Sequence, residues 1–238
     1  MSAETCVAVI TGGTGNLGRV VTERFLREGR EVAVPWHKEE EWKNLQEGLD
    51  PEMPGRCWGI QVDLTDEDQV KDFVDKVMSR FGRIDHLLNL VGGFSFGSNI
   101  WEIELRDWER MMDMNLRTCF LCCKHALPPM LEAGAGSIVN VSSKACEDIQ
   151  PGAAAYAVAK GGVRTFTRAL REELKGTGVT ANAIMPSIID TPVTRELMPD
   201  ASPEKWVRPE QIASVLLWLC GGGSEAVSGS VLRLFGEL

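Results

Sequence analysis

The stretch Val7-Ala8-Val9-Ile10-Thr11-Gly12-Gly13-Thr14-Gly15-Asn16-Leu17-Gly18 joins a short apolar strand to a helix through a glycine-rich turn. Residues 13–18 fit the pattern G-x-G-x-x-G. Glycines suit such a turn because the backbone must bend sharply and approach a pyrophosphate closely, while the helix N-terminus offers N–H donors and a positive dipole. The position between a strand and a helix favours a dinucleotide-binding turn over the alternative, a plain tight turn.

The hydrophobic pattern beyond this turn alternates strand and helix, without a linker or a repeat. Strands are predicted at 7–10, 31–35, 58–62, 84–91, 137–141, 179–185 and 230–234. Helices are predicted at 16–28, 39–49, 66–81, 107–131, 156–175 and 209–220, the fourth ending near Pro128-Pro129. Near-continuous apolar strands between amphipathic helices indicate a parallel sheet that is covered on both faces. We therefore expect an α/β fold of the doubly wound, Rossmann type, with about seven strands in one domain (1–238) and a substrate loop at about 186–208.

The composition sets limits on partners and location. The chain has 238 residues and a formal net charge of −9. This charge argues against a nucleic-acid or anionic-membrane partner, because both are negatively charged and bind positively charged protein surfaces. No apolar run approaches the roughly 20 residues of a membrane span. The start, Met1-Ser2-Ala3-Glu4-Thr5, lacks a charged region typical of a signal peptide. We expect a cytoplasmic protein.

Cysteine and histidine positions give no sign of a disulfide framework or a metal site. The seven cysteines are an odd number scattered along the chain. Cys119, Cys122 and Cys123 have the spacing of one buried helix face. The three histidines are isolated from one another and from carboxylate pairs, so no metal ligand set is predicted.

The only tyrosine, Tyr156, lies four residues before Lys160 and thirteen after Ser143. The residues from Ala155 to Lys160 favour a helix, which places positions 156 and 160 on one face. A free phenol has a pKa of about 10, and a nearby ammonium favours the phenolate, so proton exchange near neutral pH becomes plausible. Such a group can protonate a carbonyl oxygen. The alternative is a half-buried helix tyrosine beside a solvated lysine.

With the glycine turn, Ser143, Tyr156 and Lys160 in this order, the chain resembles the short-chain dehydrogenase/reductase family over nearly its whole length. The main-branch turn of that family reads T-G-x-x-x-G-x-G, and this chain departs from it at Asn16, where the middle glycine is expected. The resemblance implies a cofactor site formed by Gly12, Thr14, Gly15, Asn16, Leu17, Gly18, Trp36, His37, Lys38, Asp63, Leu64, Asn89, Gly92, Tyr156, Lys160, Pro186, Ile189 and Thr191.

The resemblance also implies roles in hydride transfer between a nicotinamide cofactor and a small carbonyl or alcohol substrate. Tyr156 is expected to act as the general acid and base. Ser143 is expected to hydrogen-bond the substrate oxygen, with Ser142 as the rival at that position. Lys160 is expected to bind the nicotinamide ribose and to lower the tyrosine pKa, and Asn115 to hold a water of the proton relay.

The choice between NADP and NAD depends on the end of the second predicted strand. A carboxylate there accepts hydrogen bonds from the adenosine ribose of NAD and repels the 2′-phosphate of NADP. The chain has Trp36, followed by His37 and Lys38, while Glu39-Glu40-Glu41 are expected to start the next helix and point partly to solvent. The glycine turn has no Arg or Lys, which weakens the case for NADP. On balance we expect NADP in preference to NAD.

Two other functions stay open. The segment Asp190–Ala201, then Trp206 and Pro209, resembles the corresponding part of dihydropteridine reductase, as does Gly92-Gly93-Phe94. That atypical family member reduces a quinonoid ring and lacks the catalytic serine, whereas this chain has Ser143. The second alternative is a protein that binds NAD(P) without turnover.

Apolar side chains predict the character of the substrate pocket and of an interface between copies. Segments 94–101 and 191–207 are expected to line the pocket and favour an apolar or aromatic carbonyl, or else simply to pack a lid; their large side chains are Phe94, Phe96, Trp101, Met198 and Trp206. Family members pair through two helices, so the resemblance implies a homodimer or homotetramer. The apolar positions noted on those helices are Leu116, Phe120, Val163 and Phe166.

Overall fold

Strands and helices alternate along the chain in the computed structural model, which describes residues 5–50 and 52–237. Residues 1–4, 51 and 238 of the predicted domain lie outside the described residues. The strands are β1 (Val7–Thr11), β2 (Glu31–Trp36), β3 (Cys57–Gln61), β4 (His86–Asn89), β5 (Gly136–Val141), β6 (Val179–Pro186) and β7 (Val231–Leu234). The helices are α1 (Asn16–Arg27), α2 (Glu39–Gly48), α3 (Glu67–Phe81), α4 (Leu105–Met112), α5 (Thr118–Ala133), α6 (Ala154–Glu173), α7 (Pro192–Leu197) and α8 (Pro209–Leu219).

These strands form one seven-stranded parallel sheet in the order β3-β2-β1-β4-β5-β6-β7. The prediction of a doubly wound α/β sheet of about seven strands is confirmed. The strand order reverses direction between β1 and β4. In open α/β sheets, ligands bind in the crevice beyond the carboxyl ends of the strands at such a point.

Alternate residues of a strand supply the cores on the two faces of the sheet, as shown by β1. Val7 and Val9 pack with α3, α5 and α6, whereas Ala8 and Ile10 pack with α1, α2 and α8. All four are almost completely buried. Because both faces are covered, both sets of strand positions must be apolar, which explains the continuous runs in the sequence.

The predicted helix at 107–131 differs from the observed structure. The helical segment runs from α4 through a π-helical stretch, Asp113–Arg117, into α5. Pro128 and Pro129 lie inside α5, which ends only at Gly134 with a left-handed φ of 66°. Each proline removes one helical hydrogen bond. The helix nevertheless ends only two residues beyond the predicted 131, and it continues through both prolines because Ala126 and Met130, on either side, are buried in the core.

The predicted loop at 186–208 has more order than expected. Pro192 is the first residue of α7, a short 3-10 turn covers Pro203–Lys205, and Ile189 forms an isolated parallel bridge with Val207. Thr191 caps α7, since its hydroxyl oxygen accepts from the backbone N–H of Thr194 at 3.1 Å. Proline at a first helical position and threonine at the N-cap are both favourable, so the local sequence accounts for this helix.

Candidate active site

The glycine turn between β1 and α1 requires glycine at two positions. Gly12 has a left-handed φ of 66°, and a Cβ there would lie 3.0 Å from the backbone nitrogen of Val91. A Cβ on Gly18 would lie only 1.9 Å from the carbonyl oxygen of Gly12. Asn16, which replaces the expected middle glycine, is exposed as the first residue of α1. The departure from the family pattern therefore falls where a side chain can be accommodated.

A cleft of about 690 Å³ opens beyond the carboxyl ends of β1 to β4, beside this turn. Nine of the proposed cofactor residues line it: Gly12, Thr14, Gly15, Asn16, Gly18, His37, Asp63, Leu64 and Gly92. The carboxylate of Asp63 accepts hydrogen bonds from the backbone N–H and the hydroxyl of Thr65 at 2.9 and 2.7 Å. Both bonds lower the pKa of Asp63, and the bond from the hydroxyl has the larger effect.

Other proposed cofactor residues lie outside the lining of this cleft. Trp36 stacks its ring on Trp42, with centroids 6.3 Å apart. The amide of Asn89 donates to Asn140 Oδ1 at 2.8 Å and so ties β4 to β5. Leu17 is partly buried on α1, and Lys38 forms an ion pair with Glu41. Pro186, Ile189 and Thr191 lie around the end of β6 and the start of α7. Tyr156 and Lys160, both on α6, complete the set.

The cleft also has charged residues that the sequence interpretation did not place there. Glu41 lines it, although α2 was expected to turn its acids partly to solvent. Its carboxylate accepts from the hydroxyl of Thr14 at 3.2 Å. The lining also includes the polar face of α4 and the residue that follows it: Arg106, Glu109, Arg110 and Asp113. Their helical spacing was readable in the sequence, but the direction in which that face points was not.

Lys160 is buried, with only 4% of the residue's surface exposed. Its Nζ donates to the carbonyl oxygen of Val141, at the end of β5, at 2.9 Å. Burial lowers the pKa of Lys160 to about 8. A Cβ on Gly92 would lie 2.9 Å from Lys160 Nζ and 2.8 Å from Asn115 Oδ1. Glycine at position 92 therefore allows the chain after β4 to lie directly against both groups.

Asn115 lies in the π-helical segment Asp113–Arg117, and its side chain hydrogen-bonds to the backbone of the segment after β4. Its Oδ1 accepts from the backbone N–H of Gly93 at 3.2 Å. Its Nδ2 donates to the carbonyl oxygens of Gly93 and Met111, both at 3.0 Å. Single π turns within α-helices frequently occur at functional sites. Here the π turn presents Asn115 toward Gly92 and Lys160, which local helix propensity does not foretell.

The two serines after β5 have different environments. The Ser143 side chain hydrogen-bonds with Tyr156, and its oxygen also accepts from the backbone N–H of Ala145 at 3.2 Å. Ser142 is buried and donates to the carbonyl oxygen of Lys160 at 2.8 Å. The geometry thus brings Ser143, and not its neighbour, to the tyrosine.

The pKa of Tyr156 corrects one expectation. Burial raises this pKa above its ordinary value of 10, and the hydrogen bond with Ser143 offsets only part of that effect. The expected lowering by Lys160 is wrong in this structure, because desolvation of the phenolate outweighs the groups that favour it. The phenol is thus harder to ionise here than a free tyrosine side chain.

An aromatic pair lies beside Tyr156 in the loop after β4. The ring of Phe94 meets the ring of Tyr156 edge to face, with centroids 5.0 Å apart, and stacks on Phe96 at 6.0 Å. Phe94 and Phe96 are 59% and 60% exposed. Trp206, by contrast, is only 4% exposed, which for this residue favours the alternative, packing within the lid.

Cys119, Cys122 and Cys123 are buried in the core, as their spacing predicted. Burial raises the pKa of the Cys122 and Cys123 thiols. Within residues 5–50 and 52–237, the structure has no group of three or more His, Cys, Asp or Glu side chains placed to bind a metal ion. Over the same ranges, no helix has the length and apolar character needed to span a membrane.

Comparison with known proteins identifies the family of this chain. The family model described as short chain dehydrogenase matches residues 6–202. A 3-oxoacyl-(acyl-carrier-protein) reductase of Thermotoga maritima is 32% identical over 247 residues, which cover 100% of this chain and 99% of that protein. A cis-4-hydroxycyclohexanecarboxylate dehydrogenase of Sinomonas cyclohexanicum is 30% identical, with 97% of this chain and 95% of that protein covered.

Solved structures are similar over nearly the full length as well. The structure of ElxO with NADP bound has a TM-score of 0.91 at 26% identity and covers 98% of each chain. A variant of the actinorhodin polyketide ketoreductase with NADPH has a TM-score of 0.89 at 30% identity, covering 99% of this chain and 98% of the other.

Proposed function

Because this chain belongs to the short-chain dehydrogenase family and is an NAD(P)-dependent oxidoreductase, we propose that it reduces an apolar cyclic or aromatic carbonyl compound, with Tyr156 as the general acid. The observation that carries this proposal is the placement of two pairs of polar side chains. Ser143 hydrogen-bonds Tyr156, and Lys160 and Asn115 both lie against Gly92, which lines the cleft. These residues come from three separate parts of the fold.

The residues around the cleft fit a nicotinamide dinucleotide. Gly12 and Gly18 let the turn fold tightly onto the start of α1, and the cleft begins at that helix end, where phosphate groups are favourably bound. Thr14, Asn16 and Asp63 are among the polar residues available to hold the two nucleotide halves. When bound, such a cofactor supplies or accepts the hydride.

The protein's own residues manage the proton. Tyr156 donates its hydroxyl proton to the substrate oxygen. Ser143 donates a hydrogen bond to the same oxygen as negative charge develops there. Lys160 binds the nicotinamide ribose in this proposal, and Asn115 positions the chain after β4. A protonated tyrosine is the form that reduction requires.

For the cofactor, we propose NADP(H) in preference to NAD(H). The second strand ends in Trp36 rather than in an acid, and His37, the next residue, lines the cleft. The structures of ElxO and of the actinorhodin ketoreductase variant contain NADP or NADPH, which supports the same choice.

For the substrate, the contact of Phe94 with Tyr156 favours a flat, apolar carbonyl compound. An aromatic ring stacks well on the exposed Phe94–Phe96 pair, and such contacts add about 0.5–1.5 kcal/mol to simple burial. The proposed test is steady-state oxidation of NADPH with 1-tetralone and with ethyl acetoacetate. We expect a higher kcat/KM for the bicyclic ketone, and Phe94→Ala should reduce that advantage. Cofactor binding without oxidation by any of a panel of ketones would contradict the proposed reaction.

We also propose a homodimer or homotetramer formed through α5 and α6. Of the four apolar positions noted on these helices, Val163 is buried in the chain's own core, and Leu116 and Phe166 are partly buried against it. Phe120 is 44% exposed and meets Phe166 edge to face at 6.0 Å. Light scattering at micromolar concentration tests the assembly: a mass of 26.2 kDa, that of one chain, would contradict it.

A further inference from the structure

We propose that Glu41 recognises the adenosine ribose of the cofactor: its carboxylate accepts from the 2′-hydroxyl of NADH and opposes the 2′-phosphate of NADPH. The inference rests on the proposed use of a nicotinamide cofactor. It assigns a specificity-determining role to a residue five positions beyond Trp36, where the sequence showed no acid.

The placement of Glu41 is the first observation. Glu41 lies in the first turn of α2 and lines the cleft together with Thr14 and His37. One carboxylate oxygen accepts from the Thr14 hydroxyl at 3.2 Å, which brings the acid onto the glycine turn itself. In folds of this type, the acid that binds the ribose follows the turn by about 20 residues, and Glu41 satisfies that requirement in space.

The start of α2 is held in place by Trp42, the residue after Glu41. Its ring stacks on Trp36 with an interplanar angle of 10°. It also lies over Gly59 of β3, where a Cβ would come within 2.9 Å of the Trp42 ring. Trp36 lies at the end of β2, the position at which an acid would bind the adenosine ribose of NAD, and its side chain here anchors α2. Its packing helps to fix Glu41 beside Thr14.

The chemistry of the carboxylate suits a ribose hydroxyl. Its two oxygens offer about four acceptor sites, and the protein uses one on each oxygen, for Thr14 and for Lys38 Nζ at 3.0 Å. Acceptor capacity therefore remains for a hydroxyl donor. A 2′-phosphate has only acceptor oxygens and a charge of about −2 near neutral pH, so it would meet Glu41 as a like charge.

Two neighbouring charges define how strong the discrimination can be. Lys38 pairs with Glu41 and offsets part of its negative charge. The repulsion between Glu41 and the 2′-phosphate of NADPH is therefore only partial. Asp63 is the other carboxylate on this side of the cleft, but it follows β3 and accepts two hydrogen bonds from Thr65. Glu41 is thus the acid set against the proposed NADP preference, and we expect the wild-type affinities for NADPH and NADH to lie within about tenfold of each other.

The test is a pair of dissociation constants, for NADH and NADPH, obtained from the fluorescence of the reduced nicotinamide. Glu41→Gln keeps the shape of the side chain and removes its charge. We expect the ratio of the NADH to the NADPH dissociation constant to rise at least tenfold in this variant. Lys38→Ala leaves Glu41 without its counter-charge, so the same ratio should fall.

Glu39→Gln is the matched control, because Glu39 lies on the same helical turn but pairs with Lys43 at 2.8 Å. It removes the same charge from the protein, and its ratio should stay within about twofold of wild type. A ratio in Glu41→Gln that equals the control overturns the inference, provided that the thermal midpoints match. If wild-type protein binds neither cofactor, the proposed function fails instead, so the two failures are distinguishable.

Discussion

Lys160 and His86 are both buried bases, and they lie at opposite ends of the same sheet. Lys160 contacts Val141 at the carboxyl end of β5, whereas His86 is the first residue of β4, at the amino end. Burial is the main cause of both pKa shifts: it lowers the pKa of Lys160 to about 8 and that of His86 to about 4. By the size of the shift alone, the two residues are equally good candidates for catalysis.

Their surroundings separate them. Lys160 lies against Gly92 and Asn115, one helical turn beyond Tyr156 and next to a large cleft. His86 contacts the guanidinium of Arg30, which contributes to its low pKa. It is not among the residues that line the cleft. A shifted pKa is thus a sign of burial, and only a cleft with other reactive groups turns it into a candidate site.

The strongest test of this contrast is Tyr156→Phe. The variant lacks the hydroxyl that donates the proton, so kcat for ketone reduction should fall by about a thousandfold. Binding of the reduced cofactor, measured by its fluorescence, should stay within about threefold, because the ring and its contact with Phe94 remain. Turnover close to wild type would contradict the role of Tyr156 and favour the dihydropteridine reductase-like alternative, whose activated acceptor needs less acid assistance.

The next largest effect is expected for Lys160→Met. Loss of the ammonium should lower kcat by about a hundredfold. The same change should stabilise the fold at pH 7. A folded-state pKa of about 8 against 10.5 means that the buried charge destabilises the fold by roughly 3 kcal/mol. Loss of the hydrogen bond to Val141 destabilises the variant by about 1–2 kcal/mol, so only part of the gain remains.

The pH dependence checks the origin of this gain. The unfolded chain binds more protons than the folded one between pH 8 and 10.5, so the wild type becomes more stable as pH rises through that range. The advantage of Lys160→Met in urea unfolding should therefore shrink from pH 7 to pH 10. An advantage that is the same at both values would mean that burial of the charge is not its cause.

The smallest effect is expected at the other end of the sheet, from acid. Because His86 titrates near pH 4 when folded and near 6.5 when unfolded, the wild type should lose stability as pH falls below 6.5, by about 2 kcal/mol at pH 5. His86→Gln keeps a hydrogen-bond acceptor for Arg30 and has no imidazole to protonate. This variant should therefore not show the loss of about 2 kcal/mol in stability at pH 5 that is due to His86. Its kcat at pH 7 should remain within about twofold of wild type. A hundredfold loss of kcat would show that the amino end of the sheet takes part in the reaction.

Local sequence patterns predicted most of the fold. Apolar strands, amphipathic helices and the glycine turn follow from residues that are near one another in the chain, and all seven strands lie at or close to their predicted positions. Distant contacts account for what local preference does not explain. Pro128 and Pro129 lie inside α5 because Ala126 and Met130, on either side of them, are buried.

The candidate site was predictable to a similar extent. The order and spacing of Ser143, Tyr156 and Lys160 pointed to their proposed roles, but spacing could not give the direction of the Tyr156 pKa, which depends on burial. No pattern in the sequence indicated that Glu41 would reach Thr14, because that contact depends on how Trp42 packs over β3.

The sequence by itself determined the alternating architecture, the family and the residue types available for proton transfer, since these depend on periodicity and on order along the chain. The tertiary structure alone decided which charges face the cleft and which buried bases have reactive neighbours. Glu41 meets Thr14 across 27 positions, and Asn115 meets Gly93 across 22. Such contacts are set by the packing of whole helices on the sheet, and no local preference encodes them.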